Sequence, residues 1–175
     1  EFHQADALDY LEKHGHEFDA IHASPPCHDH SALHSVTGDD GSGWLLGATR
    51  ELLVSIGRPW VIENVAGSAL PNSLRLCGTQ FGLRAHSKQR GEVWLRRHRL
   101  FESSTFLMAP GEHSCSGRQI IGVYGHGDGG GRGWKGSFVD RQAAMGIDWM
   151  RREELSQAIP PAYTEWIGAQ LMAAL

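Results

Sequence analysis

The spacing of hydrophobic residues near the start of the chain predicts a helix and then a strand. Asp6 can cap a short helix in which Ala7, Leu8 and Leu11 share one face. The apolar run at residues 18–23 predicts a buried strand. The chain therefore opens with a helix that has one apolar side, followed by a strand of the interior.

The same pattern continues as a helix at residues 44–56 and a second strand at 59–62. Strand, helix and strand in this order are typical of a parallel α/β sheet. Ligands of such sheets bind at the carboxyl ends of the strands. Short strands and a closing helix are predicted at 93–95, 100–102, 119–124 and from Pro161.

The composition limits the fold and the class of protein. At 175 residues and 41% hydrophobic, the chain is long enough for one domain with a small appendage. It contains no apolar run long enough to span a bilayer and no secretory signal, so we expect a soluble, intracellular protein. Cys27, Cys77 and Cys115 are odd in number and widely spaced, which predicts neither a disulfide framework nor a structural zinc site.

Charge is unevenly distributed along the chain. The formal net charge of -4 excludes a nonspecific polycation. Residues 84–99 nevertheless hold six basic side chains against the single acidic Glu92. This basic strip would suit phosphate groups, although a solvated face without a partner explains it equally well. Its basic members are Arg84, Lys88, Arg90, Arg96, Arg97 and Arg99.

A cysteine follows two prolines directly after the first predicted strand. Pro25 and Pro26 prevent further strand pairing, which leaves Cys27 on a loop at a ligand-binding edge. A thiol held there can act as a nucleophile if neighbouring charge favours the thiolate. Alternatively, Cys27 is a small buried hydrophobic residue.

Further polar groups follow the second predicted strand. Glu63 and Asn64 come directly after its apolar residues, where a buried carboxyl group could hold or donate a proton to a ring nitrogen. Alternatively, the two residues satisfy backbone groups of a loop. Arg97 and Arg99 are two apart, so they would share one face of an extended segment and could fix a carbonyl or a phosphate.

Four segments together resemble the DNA cytosine-5 methyltransferase family. In chain order, SPPCHDHS resembles its nucleophile loop, RPWVIENV its Glu-Asn-Val motif, LRRHRLFES its Gln-x-Arg-x-Arg motif and AIPPAYTEWIGAQL its closing motif. The resemblance covers most of residues 5–175. It implies a Rossmann-like class I methyltransferase sheet of the α/β class, with S-adenosylmethionine as cofactor and no metal.

The resemblance also implies a mechanism. Cys27 would attack C6 of a flipped-out cytosine while Glu63 bonds N3 and the exocyclic amine, so that C5 becomes nucleophilic and takes the methyl group. Asn64 would brace the cysteine loop. Arg97 and Arg99 would orient the base carbonyl and that loop.

Binding residues and domains are implied in the same way. Residues 1–105 plus 138–175 would form the catalytic core, and 106–137 a reduced target-recognition segment. Asp6 alternatively serves only as a helix cap. The implied cofactor-binding residues are Asp6, Ala7, Pro26, Gln157, Ala158 and Ile159. The candidate contacts to double-stranded DNA are Ser31, Arg84, Lys88, Arg90, Arg118, Arg132 and Lys135.

The chain departs from the family pattern in several places. His28, Leu95 and Ser156-Gln157 replace a glutamine, a second glutamine and a Gly-Asn pair. The family's Phe-x-Gly-x-Gly turn, which binds the cofactor, has no counterpart before Asp6. We therefore expect an N-terminally truncated fold, with a missing segment or a second chain completing the cofactor site. The expected location is the cytoplasm of a bacterial or phage-infected cell. Restriction-modification is one biological role that the resemblance implies there.

Three alternatives remain open at this stage. Thymidylate synthases also present Pro-Cys-His to C6 of a pyrimidine, as Pro26-Cys27-His28 would, but their arginine-serine phosphate motif is not found. A metal site is conceivable in the dense cluster Cys27, His28, His30 and His34. The third alternative is a non-catalytic DNA-binding remnant of the methyltransferase fold.

Overall fold

The computed structural model describes residues 1–26, 43–124 and 134–175. The chain divides into two compact units. Unit 1 comprises residues 1–75, 99–107 and 169–175, and unit 2 comprises residues 76–98 and 108–168. Mixed α/β structure occurs in both, with five α-helices among the described residues.

Unit 1 contains a helix-flanked sheet. Helix α1 (Ala7–His14) precedes strand β1 (Ile21–Ala23), helix α2 (Gly43–Ile56) and strand β2 (Trp60–Val65). Strand β3 (Leu74–Leu76) spans the boundary at which the chain passes from unit 1 to unit 2. Strand β6 (Arg99–Ser103) belongs to unit 1 again. The strand order is β1-β2-β6-β3, with β2 parallel to β1 and antiparallel to β6.

The interior of unit 1 comes from apolar residues of α2, β2 and the segment after it. Leu46, Leu53, Trp60, Ile62 and Leu70 are buried together. At 25 cal/mol per Å² of buried apolar area, side chains of this size each contribute roughly 1.5–3 kcal/mol. The core therefore holds β2 rigidly, including the polar residues that β2 carries.

A charged group also joins three parts of unit 1. The Arg50 guanidinium donates to both carboxylate oxygens of Glu102, with Nη2–Oε2 at 2.8 Å, and to the carbonyl of Ala69 at 3.0 Å. The carboxylate raises the pKa of Arg50 through these hydrogen bonds. Helix α2, strand β6 and the turn after β2 are thus tied through one side chain.

Unit 2 contains a second sheet, of order β4-β5-β7. Strands β4 (Arg84–Ser87) and β5 (Gly91–Arg96) are antiparallel, and β7 (Ile120–Gly122) is parallel to β5. Helices α3 (Phe138–Met145) and α4 (Arg152–Gln157) belong to this unit, and the division between units falls within α5 (Pro161–Met172). Its core is an apolar cluster: Ala85, Val93, Leu95, Ile121, Val123, Ala144, Met145, Ile147 and Leu155.

Local signals explain the bounds of α3. Ser137 caps the helix by accepting from the Asp140 amide at 3.1 Å, and Asp140 accepts from the Ser137 amide at 3.0 Å. Gly146 ends it in the left-handed region, with φ of 68°, where a side chain would be strained.

The α/β class is confirmed, but the sheets are mixed rather than parallel throughout. The β1–β2 pair is parallel as expected, whereas β6 runs against β2 and β4 against β5. Glu63 and Asn64 lie within β2 and do not follow it, because β2 continues to Val65. The described residues include no helix with the length and apolar character needed to cross a membrane.

Candidate functional site

The loop leading to Cys27 leaves the sheet beside β2. In the parallel pair Ala23 lies opposite Ile62, so Glu63 and Asn64 continue β2 beyond the last paired residue of β1. The Asn64 Nδ2 donates to the carbonyl of Pro25 at 3.1 Å, and its Oδ1 accepts from the Val65 amide at 2.8 Å. Since Asn64 is buried, these bonds fix its amide and brace the backbone two residues before Cys27.

Glu63 forms an ion pair with Arg99 across the antiparallel strands β2 and β6. The Arg99 Nε lies 3.3 Å from the Glu63 Oε1. The Arg99 side chain is 12% exposed and the Glu63 side chain 6%, so water screens their attraction weakly. A carboxylate held this way keeps one orientation beyond the paired end of β1 and can form hydrogen bonds with a ligand.

Arg97 does not share this arrangement with Arg99. Strand β5 ends at Arg96 and β6 begins at Arg99, so the two arginines do not lie on one extended strand. Arg97 belongs to unit 2, is only 4% exposed, and donates to the carbonyls of Val123 and Ser156. The prediction that both arginines share one face of an extended segment is therefore wrong, because residue 97 lies between two strands that belong to different sheets.

The position of residue 97 is fixed from a second direction within unit 2. The Tyr163 hydroxyl of α5 donates to the carbonyl of Arg97 at 2.7 Å. The Tyr163 ring is fully buried and stacks on Phe81 at 4.8 Å between centroids. The backbone at residue 97 is thus held by a side chain of the closing motif.

A cavity of about 530 Å³ opens at the carboxyl end of β1 in unit 1. This volume lies in the range of small-molecule sites, roughly 300–1,000 Å³. Apolar side chains of α1, β1 and α2 dominate its wall, which also includes Ala7, Pro26 and Thr49. The cavity thus has the size and the apolar lining of a small-molecule site.

The other residues implied for the cofactor are placed less directly. The Asp6 Oδ1 accepts from the amides of Leu8 and Asp9 at 3.0 and 3.1 Å, so this residue is the N-cap of α1. Gln157 ends α4 in unit 2, and Ala158 packs against the core of that unit. The cofactor roles of Asp6, Gln157, Ala158 and Ile159 remain predictions.

The solvent-facing side of the unit 2 sheet combines cations with aromatic rings. The guanidinium carbons of Arg84 and Arg118 lie 5.3 and 3.7 Å from the ring centroid of Trp94. Arg90 similarly lies 5.0 Å from the ring of Trp134. Lys88 is in the exposed turn between β4 and β5, two residues before Arg90.

The basic strip is therefore not one exposed surface. Arg97 and Arg99 are enclosed as described above, whereas Arg84 on β4 and Lys88 and Arg90 in the turn after it are exposed. Several predicted site residues lie outside the described residues: Cys27, Ser31 and Arg132, together with His28, His30 and His34.

A cluster in unit 2 escaped the sequence analysis. The cysteines and histidines at positions 77, 98, 113 and 115 bring four ligand atoms within 4.8 Å of one another. The wide spacing of the three cysteines predicted neither a disulfide framework nor a structural zinc site, yet folding brings the sulfur atoms of Cys77 and Cys115 to 3.3 Å. The nearest local signal was the pair His113 and Cys115, separated by a single residue.

No known protein-family model matches this chain, and no curated protein sequence shows significant similarity to it.

Proposed function

We propose that this protein is a DNA cytosine-5 methyltransferase with a Rossmann-like catalytic sheet. The observation that carries the proposal is the hydrogen bond from Asn64 to Pro25, beside the buried Glu63–Arg99 pair. It links the Glu-Asn motif to the Pro-Pro-Cys loop, two motifs 36 or more residues apart in the chain that this chemistry needs side by side.

In this proposal the residues divide the activation of the base between them. Cys27 adds through its sulfur to C6 of the flipped-out cytosine, and Glu63 holds a proton at N3 so that the charge of the ring is relieved. Arg99 keeps the Glu63 carboxylate oriented, and Asn64 keeps the cysteine loop in place. Loss of the C5 proton and release of the sulfur then restore the aromatic ring.

S-adenosylmethionine is the proposed cofactor and, when bound, would supply the methyl group that C5 accepts. Ala7 and Pro26 line the cavity beside β1 and would contact it. The apolar wall would exclude water from the ligand, while few polar side chains would fix its orientation. Arg97 is assigned a positioning role within unit 2 in this proposal.

The direct test is covalent trapping on duplex DNA that contains 5-fluorocytosine, with S-adenosylmethionine present and full-length protein. We expect a protein–DNA adduct that survives denaturing electrophoresis and is lost in Cys27→Ala. Glu63→Gln should slow its formation by about 10²–10⁴-fold, the usual contribution of general acid–base catalysis.

Glu92→Gln is the matched control, because Glu92 is an exposed carboxylate that also pairs with an arginine, at 3.4 Å from Arg84. It should form the adduct at the wild-type rate. If the wild-type protein forms no adduct, or if Cys27→Ala still forms one, the methyltransferase assignment is wrong.

A non-catalytic DNA-binding remnant of this fold is the second candidate, favoured by the cations stacked on Trp94 and Trp134. Arginine and aromatic side chains together bind phosphates and bases. In that case duplex binding would persist without trapping or cofactor binding. Arg118→Gln should then reduce the slope of log K against log [salt] by about one, the contribution of one phosphate contact.

A further inference from the structure

Four metal-ligand side chains converge at one place in unit 2. Cys77 follows β3, His98 follows β5, and His113 and Cys115 lie in the segment between Met108 and β7. The His98 and His113 Nε2 atoms are 3.0 Å apart. The Cys115 Sγ lies 3.1 Å from the His113 Nε2 and 3.7 Å from the His98 Nε2.

These distances match the spacing of ligand atoms around zinc. A tetrahedral ion with Zn–S of about 2.3 Å and Zn–N of about 2.0–2.1 Å sets its ligand atoms roughly 3.3–3.8 Å apart. The cysteine sulfurs, at 3.3 Å, and the three distances above require expansion by only a few tenths of an ångström or none. We propose that Cys77, His98, His113 and Cys115 form a structural Zn²⁺ site.

The electrostatics of the cluster suit a divalent cation. Burial raises the pKa of Cys77, but hydrogen bonds with His98, Thr79 and Cys115 outweigh it and lower the pKa to about 6. Burial and the neighbouring Cys77 sulfur raise the pKa of Cys115 to about 11. As thiolates, two sulfurs 3.3 Å apart would repel each other, and a 2+ ion bound to both would neutralise their charges.

The site would also stabilise a segment with little regular structure. Residues 108–119 contain no helix or strand. Gln80 donates to the Gly111 carbonyl at 3.0 Å, and the Ser114 amide donates to the Thr79 hydroxyl at 3.3 Å. A metal bound to His113 and Cys115 would add two strong links from this segment to Cys77 and His98.

The local backbone near Cys77 also permits the close approach that such a site needs. A Cβ atom on Gly78 would lie 2.6 Å from the Leu95 carbonyl oxygen, so only glycine fits there without a shift. That carbonyl is 3.8 Å from the Cys77 sulfur. Four protein ligands complete a tetrahedral shell, which indicates a structural rather than a catalytic metal.

The test uses the full chain, reduced and loaded with Zn²⁺ or with Co²⁺ as a spectroscopic probe. We expect one bound metal per chain, with the intense d–d and sulfur-to-metal bands of tetrahedral cobalt. Cys115→Ser and His113→Ala, at the more exposed ligands, should each weaken Zn²⁺ affinity by more than about a hundredfold. Circular dichroism verifies that these variants fold.

Two control variants make the test specific. Cys27→Ser removes one cysteine and also tests the alternative cluster with His28, His30 and His34, while His86→Ala removes an exposed histidine of β4. Both should keep the full metal stoichiometry and the cobalt spectrum.

Three results would overturn the proposal. The first is a reduced protein that binds no stoichiometric Zn²⁺, and the second is metal lost in Cys27→Ser but kept in Cys115→Ser. The third is a Cys77–Cys115 disulfide in protein purified without oxidant. Metal stoichiometry tests this proposal and covalent trapping tests the proposed function, so either proposal can fail while the other stands.

Discussion

The two polar sites of this protein balance charge by different means. In unit 1 Glu63 and Arg99 carry opposite charges and neutralise each other across two strands. In unit 2 the Cys77–Cys115 cluster gathers four electron-pair donors, two sulfurs and two imidazole nitrogens, at one place. The comparison teaches that protein groups balance the charge of the first site, whereas the second offers its donors to the cation that the proposed Zn²⁺ would supply.

The sharpest way to break this comparison is to remove one charge from the first site. Glu63→Gln leaves the largely buried Arg99 guanidinium without its carboxylate, which should lower the free energy of unfolding by about 3 kcal/mol. Urea denaturation measures the loss. Glu92→Gln, at the exposed ion pair with Arg84, should cost less than about 1 kcal/mol. Equal small losses in both variants would show that burial does not distinguish the two pairs.

A smaller effect is expected where the backbone supports the second site. Gly78→Ala forces a methyl group against the Leu95 carbonyl and should cost about 1–3 kcal/mol through overpacking, together with weaker Zn²⁺ binding. Gly168→Ala is the matched control, since nothing lies within 4 Å of its added Cβ in α5. That variant should be up to about 1 kcal/mol more stable, because alanine favours the helix. Thermal unfolding compares the two, and a neutral Gly78→Ala would contradict the tight approach.

The smallest effect is expected at the second site when no metal is bound. In metal-free protein, His113→Ala should change the free energy of unfolding by no more than about 0.5 kcal/mol, because His113 is exposed and the donors do not neutralise one another. Chemical denaturation in the presence of a chelator measures it. A loss above about 2 kcal/mol would mean that hydrogen bonds within the cluster, rather than a metal, stabilise it.

The sequence predicted that the Pro-Pro-Cys loop and the Glu-Asn pair would lie at one edge of a parallel sheet, but not that Glu63 would pair with Arg99. Pro26 precedes Cys27 directly, and Glu63 stands beside Asn64, so a parallel strand pair was enough to bring the Pro-Pro pair and the Glu-Asn pair together. It did not predict that Arg97 and Arg99 would separate, since their spacing gives no sign of the turn between two sheets.

The second site was missed because it depends on tertiary structure. Cys77 and Cys115 lie 38 residues apart, and the segment that carries Cys115 has no helical or strand periodicity to place it. Strand β4 was missed for a related reason: its buried residues are Ala85 and Ser87, which give a weak hydrophobic signal. Helix α3, by contrast, carries a capping signal at Ser137 and Asp140, which indicates its start in the sequence itself.

The Arg50 contacts in unit 1 have a consequence for the order in which the molecule opens. Because this side chain bonds both Glu102 and the Ala69 carbonyl, the turn at residues 66–70 can detach from α2 and β6 only if the hydrogen bond to Ala69 breaks. We therefore expect the Leu70 amide, which donates to the Ser68 carbonyl at 2.9 Å, to exchange its hydrogen with solvent together with the amides of α2. The turn after the Glu-Asn motif would then open together with this helix rather than fray by itself.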